Sequence, residues 1–414
     1  MSKETLGKLA LIQGAVDGRY TVNELSKKLK LSKRRIKQLK KAYRENGENA
    51  VIHGNTGRHP GNYTEEKLRE KITALKKSDN YKETNFTHFQ ELLLERENIK
   101  ISYTTLCSIL KKAGIVSKKK HRTEGRKFKS RKRRGRFGEM LQADGSTFDW
   151  FGTGRRCALH GFIDDATGRI VGLYFCLNEC LMGYLEVLRQ TLNKYGIPLE
   201  IYADKAGIFT VNNKNEANWT IEEQLAGAAL NKTQFGKIVE NHFRIGIISA
   251  HTPQAKGRIE RLWGTLQDRL PIWLRLQGIT NMEQANLQIK KFITEYNNKF
   301  AVKPDLEESS FEPLNESFDL DKLLAVCYER TTDNCGCFSF NNITFQIDTK
   351  IPIVKKKIKF LFSEKIGFQA FYDKVYYPVS FFGMSNKCKI GRIPDVLKVL
   401  IEKYYFSDGR NMAA

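Results

Sequence analysis

The chain has 414 residues, 41% hydrophobic and 28% charged, which suffices for roughly two to four soluble domains with buried cores. No run of about 18 apolar residues predicts a transmembrane helix, the start predicts no secretory leader, and eight scattered cysteines without a C-x-x-C pattern are read as reduced cytosolic thiols, neither a disulfide framework nor a zinc module. The formal charge of +24 is concentrated at one end: residues 1–136 carry a net +22 and residues 137–414 only +2, so the first third is expected to meet a polyanion, with nucleic acid ahead of an acidic membrane because the segment lacks an apolar face.

Residues 1–50 are predicted to form a helix-turn-helix unit. In "TVNELSKKLKLSKRRIKQLKKAYRENG" the residues Val22, Leu25, Leu29, Leu31, Ile36, Leu39 and Tyr43 recur at helical spacing. Thr21 and Ser32 supply N-caps and Gly47 a stop. The second helix then turns Lys33, Arg34, Arg35, Lys37 and Lys40 to solvent, as a helix lying in a major groove requires. A plain helical hairpin with a solvated basic face is the blander reading of the same residues.

"HGNTGRHPGN" reads as a linker, and its His53 and His59 as linker histidines. A second helical, helix-turn-helix-like DNA-binding unit is expected over residues 62–116, ending on another recognition helix from Ser102 to Gly114 with Leu106, Ile109 and Leu110 as its stripe. Residues 117–137 follow as a flexible basic linker with 12 Lys and Arg against one acid between positions 118 and 136. Its Arg131, Lys132, Arg133 and Arg134 are candidate DNA contacts, with a localisation signal as the rival reading.

From residue 138 the pattern changes to strands and helices in the order βββαβαβα, a mixed five-stranded sheet with flanking helices. "MLQADGSTFDWF" is an apolar strand interrupted by Asp144; "CALHGFIDDATGRIVGLYFCL" is a hairpin; "IPLEIYADKAGIF" is a strand with Asp204 just past its apolar part; "KGRIERLWGTLQDRL" is a helix carrying Glu260. An acid inside a strand is unfavourable, and an acid at a strand's carboxyl end lies where open α/β sheets place their sites. Three carboxylates on three elements suit Mg²⁺ or Mn²⁺, and two such ions serve phosphodiester chemistry. Lys256, Arg258 and Arg261 beside Glu260 are then expected to meet phosphates, Arg261 alternatively a carboxylate. Taken singly, Asp144 reads as a bulge residue, Asp204 as a loop cap and Glu260 as a partner of Lys256. His251 is read as supporting and Asp165 as a turn residue.

Residues 280–330 are expected to be helical, and residues 335–385 to form a small β-barrel with a turn at Asn341-Asn342. Lys355, Lys356, Lys357 and Lys359 mark that barrel as a DNA-backbone or, equally, a protein-binding module. The final "SDGRNMAA" is expected to fray.

"LQADGS", "IYADKAGIF" and, above all, "HTPQAKGRIERLWGTLQDRL" resemble the three acidic motifs of DDE transposases with a retroviral-integrase-like (RNase H-like) core; "KGRIERLWGTLQDRL" followed by "LRLQGI" is similar to insertion-sequence transposases of the ISNCY type. The resemblance runs from the helix-turn-helix to about residue 315. It implies a catalytic core over residues 138–315 with Asp144, Asp204 and Glu260 as the metal-binding triad, holding two Mg²⁺ ions (Mn²⁺ substituting). It implies hydrolysis at the end of a mobile element, transfer of the freed 3′-OH to target DNA, and a homodimer or higher oligomer on DNA, in a bacterial cytoplasm at the nucleoid. The gap of 55 residues between Asp204 and Glu260 exceeds that of retroviral integrases, and residues 210–232 read as an insertion. A DNA-binding regulator with an inactive core is the alternative function, and a nuclease that only cuts is a further one.

Overall fold

The computed structural model describes residues 3–51, 63–117, 132–204, 207–209, 232–249, 257–384, 397 and 400–401. The chain divides into two compact units, Met1–Ala74 and Leu75–Ala414. No helix among the described residues is long and apolar enough to cross a membrane.

In the first unit, α1 (Lys3–Val16), α2 (Val22–Leu29) and α3 (Lys33–Asn46) close on Ile12, Ala15, Leu25, Ile36 and Leu39. The caps are those expected. Thr21 forms a reciprocal capping box with Glu24, and the Ser32 hydroxyl accepts from the Arg35 amide. Gly47 ends α3 at φ 56°. A 3₁₀ turn (Gly47–Val51) follows, and α4 (Glu66–Lys77) spans the division between the units.

The second unit continues with α5 (Phe86–Glu97) and α6 (Tyr103–Lys112). Leu106, Ile109 and Leu110 of α6 are buried. The central sheet comprises β1 (Met140–Phe148), β2 (Cys157–Asp164), β3 (Ile170–Cys176), β4 (Glu200–Ala203) and β5 (Gly246–Ser249) in the order β3-β2-β1-β4-β5. β1 to β3 form an antiparallel meander, and β4 and β5 add parallel to β1. The intervening helices are α7 (Leu181–Tyr195), α8 (Gln234–Phe243), α9 (Gly257–Leu276) and α10 (Met282–Phe300). This is the mixed five-stranded sheet that the sequence predicts.

Two apolar layers sandwich it. Leu141, Ala143, Phe162, Tyr184, Leu188, Ile201, Phe235 and Val239 fill one; Leu159, Leu173, Phe175, Ile259, Trp263, Leu266 and Ile289 fill the other. α5 joins α9 and α10 through charge: Glu91 accepts from Arg269 at 2.5 Å and Lys299 at 2.7 Å.

Of the helical character expected over 280–330, α10 realises the first part, and the rest is not formed. Residues 301–319 contain no helix, and one short turn, α11 (Leu320–Leu323), precedes the next strand. Pro304 and Pro313 explain this, since proline removes an amide donor and pushes its predecessor out of the helical region.

A second, antiparallel sheet follows: β6 (Val326–Thr331), β7 (Cys337–Phe340), β8 (Ile343–Ile347), β9 (Lys357–Ser363), β10 (Gly367–Tyr372) and β11 (Val375–Met384), ordered β6-β9-β10-β11-β8-β7. It wraps Phe338, Phe340, Phe345, Phe360, Phe362 and Phe368. The edge strands β6 and β7 share no hydrogen-bonded ladder, so the expected barrel is a nearly closed sheet. Asn341 and Asn342 have φ of 52° and 61°, the two positive angles that a two-residue hairpin turn needs.

Candidate active site

Alternation along β1 sends Gln142, Asp144 and Ser146 to one face, and α9 runs along that face. The Ile259 amide donates to Gln142 Oε1 at 3.3 Å, Trp263 Nε1 to Asp144 Oδ2 at 3.0 Å, and Gln267 Nε2 to Ser146 Oγ at 3.1 Å. Two strand residues advance about 6.6 Å and four helix residues about 6 Å, so three rungs stay in step before the mismatch accumulates. The acid inside the strand is therefore one rung of a polar ladder that fixes the helix bearing Glu260.

Asp204 arrives by a different route. β4 pairs with β1 in parallel register, Met140 opposite Glu200, Leu141 opposite Ile201 and Gln142 opposite Tyr202. Continued by two residues, that register sets Asp144 beside Asp204, one residue beyond the end of β4. Both carboxylates are felt by Tyr184 on α7. Burial pushes its phenol well above the usual range, and Glu179, Asp144 and Asp204 add to the rise. Glu260 lies in the first turn of α9, exposed, three residues before the indole that holds Asp144. The sheet thus brings the two aspartates together, and the ladder brings the first turn of α9 alongside.

Sequence reasoning passes over Glu179. Its carboxylate accepts from the Tyr184 hydroxyl, and it packs over Gly145, where an added Cβ would sit 3.0 Å from Glu179 Cδ and 3.1 Å from the Tyr184 oxygen. The glycine that follows Asp144 in sequence therefore makes room for Glu179 and the Tyr184 hydroxyl.

The bases near the triad divide into engaged and exposed. Asp165, read from sequence as a turn residue, is fully buried. It accepts from Gln142 Nε2 at 2.7 Å, Arg258 Nη1 at 2.6 Å and the Arg134 amide at 2.9 Å. Arg258, expected at phosphates, is thus a partner of a buried carboxylate and 15% exposed. Arg134 bridges Glu200 at 2.9 Å and Glu139 at 3.3 Å, and Arg133 donates to the Ala166 carbonyl at 2.9 Å. Arg261 is exposed, its Nε on the Gly257 carbonyl, and Lys132 is exposed as well. Arg131, Lys256, His251 and most of the 117–137 and 210–232 segments lie outside the described residues, as do His53, His59 and the final eight residues.

In the first unit Lys33, Arg34, Arg35 and Lys37 are exposed while Ile36 and Leu39 face inward; Lys40 is half-buried. Lys41, which is not among the bases expected from sequence, joins Lys33, Arg34 and Lys37 around one shallow concavity. The spacing 33, 37, 41 contains that information, since residues four apart share a helix face. In the second sheet, Lys355, Lys356, Lys357 and Lys359 all occupy exposed positions.

One cluster that the cysteine spacing argues against is present in the fold. His160 on β2, Cys176 at the end of β3 and Cys180 before α7 are all buried, and their donor atoms lie within 4.8 Å of one another. Hydrogen bonding from Cys176 pulls the Cys180 thiol below its usual range, against its burial. Among the described residues it is the group of three ligand-type side chains gathered this closely.

This chain is similar to several known proteins. The helix-turn-helix domain family matches residues 8–59. The transposase for insertion sequence IS1202 of Streptococcus pneumoniae is 33% identical over 410 residues, covering 90% of this chain and 84% of that protein. The protein y4bF of Sinorhizobium fredii, which also bears a transposase name, is 33% identical over 76% of this chain and 66% of its own. Among solved structures, the HTLV-2 integrase catalytic core domain in complex with magnesium aligns at 17% identity with a TM-score of 0.28, over 40% of this chain and 91% of that one.

Proposed function

Because this chain belongs to the insertion-sequence transposases, we propose that it binds the terminal inverted repeats of its own element, hydrolyses a phosphodiester at the element's end and joins the freed 3′-OH to target DNA. Asp144, Asp204 and Glu260 are the residues that would hold two Mg²⁺ ions, with Mn²⁺ as a substitute. An all-oxygen set of carboxylates fits these cations. Bound there, such ions activate the attacking hydroxyl and stabilise the leaving oxygen of a phosphodiester.

The observation that supports this reading is the parallel pairing of β1 with β4 as far as Gln142 opposite Tyr202, a register that, continued by two residues, would set two carboxylates side by side at the same end of the sheet. Like charges so placed repel, and a site that keeps both is suited to cations. The chain's own residues orient the ligands. The Trp263 indole donates to one oxygen of Asp144 and so fixes the orientation of that carboxylate. Gln142, shared between the Ile259 amide and Asp165, fixes the start of α9, so the exposed Glu260 approaches from a defined direction. The basic face of α3 supplies sequence-independent affinity through phosphates and enters the major groove at the element's ends. Joining two ends requires two active chains on DNA, so the working form is a dimer or larger.

The test is Mg²⁺- or Mn²⁺-dependent cleavage and joining of an oligonucleotide carrying the element's own end, with wild type beside Glu260→Gln. Wild type should cut and join, while the variant binds the same DNA and does neither. If both bind equally and neither reacts with any divalent metal, the chain is a DNA-binding regulator and the catalytic reading fails.

A further inference from the structure

We infer that His160, Cys176 and Cys180 form a binding site for one thiophilic divalent cation of the Zn²⁺ class, separate from the carboxylate centre. The three donor atoms come from three places in the fold: the middle of β2, the last residue of β3 and the residue before α7. They nevertheless fall within 4.8 Å of one another, and all three side chains are buried. Tetrahedral Zn²⁺ with thiolate and imidazole ligands needs donor separations of about 3.5–3.8 Å, so small rotamer adjustments close the set. The two cysteines are separated by Leu177, Asn178 and Glu179, a C-x₃-C spacing of the kind that structural zinc sites use.

The histidine is already set for ligation. The Cys180 amide donates to His160 Nε2 at 3.0 Å, so that nitrogen carries the lone pair of the ring and faces the backbone of one of the two cysteines. The proton of the neutral ring is then on Nδ1, which lies 3.3 Å from the Tyr174 carbonyl. A backbone acceptor on the far nitrogen is the usual orienting partner of a metal-bound imidazole. An ion takes the Nε2 lone pair in place of the amide and displaces the thiol protons of Cys176 and Cys180 to solvent. The loss of one hydrogen bond is offset by coordination. Gly183 keeps α7 close enough for this ring, because a Cβ there would lie 2.4 Å from His160 Nδ1. The turn 177–179 between the cysteines is exposed, which gives an ion a route in and a water access to the fourth position.

Such an ion would pin the start of α7 to β2 and β3. His160 stacks edge-on against Tyr184, with ring centroids 4.7 Å apart, so the clamp also steadies the residue lying under Asp144 and Asp204. Its role is structural and does not depend on the proposed strand transfer.

The full chain, purified with a non-thiol reductant and stripped of metal, would be titrated with Co²⁺ as a spectroscopic stand-in for Zn²⁺ and then with Zn²⁺. The expected result is a thiolate-to-Co²⁺ charge-transfer band that saturates at about one equivalent, bleaches on Zn²⁺ addition and is retained in Asp144→Asn. The band should be lost in Cys176→Ser and in Cys180→Ser, each of which keeps a wild-type circular dichroism spectrum. Should serine at either position unfold the chain, alkylation protection decides: Zn²⁺ must slow labelling of both thiols in the wild-type protein at least tenfold. No band with wild type, a band unchanged by the serine variants, or labelling indifferent to Zn²⁺ overturns the site. So does a chain that forms a Cys176–Cys180 disulfide with peroxide equally fast with and without Zn²⁺.

Discussion

Arg258 separates two accounts of the bases around Glu260, and Arg258→Met is the perturbation that tests them. If the arginine holds DNA, the variant should lose affinity and keep its stability. The structure predicts the reverse. Asp165 is fully buried, and the donors it accepts from include the Arg258 guanidinium at 2.6 Å. Removing one partner of a buried ion pair costs ~3–5 kcal/mol, because the remaining charge has lost its counterion. Two neutral donors, Gln142 Nε2 and the Arg134 amide, stay in place, which puts the expected loss at the lower end, ~3 kcal/mol. At about 2.1 cal/mol/K per residue across Leu75–Ala414, that loss lowers the melting temperature of this unit by ~4 °C. The added change Asp165→Asn should restore part of it, since an amide keeps an acceptor for Arg134 without the stranded charge. Thermal melts of the three proteins, paired with binding to a non-specific duplex, measure both quantities. A variant that melts with wild type but binds DNA less tightly, with no recovery in the double variant, would refute the buried-pair argument.

Other expectations follow from the same geometry. Replacing Lys33, Arg34, Lys37 and Lys41 by alanine should flatten the dependence of log K on log salt by ~0.9 for each phosphate that is no longer neutralised, with the fold intact because all four side chains lie on the outer face of α3; a fluorescence-anisotropy salt series showing an unchanged slope would remove this face from the DNA interface. His88 is buried and pushed down to about 4, chiefly by burial and then by Arg269. Its folded value lies below its unfolded one, so the unfolded chain binds the extra proton between them. Stability from this group is therefore full above about pH 6.5 and is lost towards pH 4, by up to ~3 kcal/mol. Urea unfolding at pH 7 and pH 5 should show a loss that His88→Leu reduces, and equal losses in the two proteins would contradict the assignment.

Much of this fold can be read along the chain because its signals are local. The caps at Thr21 and Ser32, the Asn341-Asn342 turn and the βββαβαβα order depend on residues within a few positions of one another. Asp144 is conspicuous as a carboxylate interrupting an apolar strand, and Asp204 by standing at the end of one. The pairing of Asp165 with Arg258 is not legible, for the opposite reason. The partners of Asp165 are 23, 31 and 93 residues away, and nothing in "FIDDATGRIV" shows that both aspartates are buried or that one of them also closes the hairpin through Thr167. Asp164 closes it, accepting the Thr167 amide and hydroxyl, and its burial pushes the carboxyl up. The His160 cluster escapes in the same way, because a search for paired cysteines never asks which histidine a neighbouring strand delivers.

These long-range polar links share one physical task. A helix packed on a sheet by apolar contacts alone can slide by a turn at little cost, because one leucine fits another's place. Gln142, Asp144 and Ser146 against Ile259, Trp263 and Gln267 forbid that slide: a shift of one turn leaves buried polar atoms unpaired, at ~1–3 kcal/mol each. The Asp165–Arg258 pair fixes the same helix at its first turn, from a second direction. A carboxylate in a strand interior is a poor choice for stability and a good one for register. In this chain the residue that sets the position of α9 is also the one proposed to share a metal with the acid that α9 carries, so the alignment of the helix and the assembly of the site are the same event.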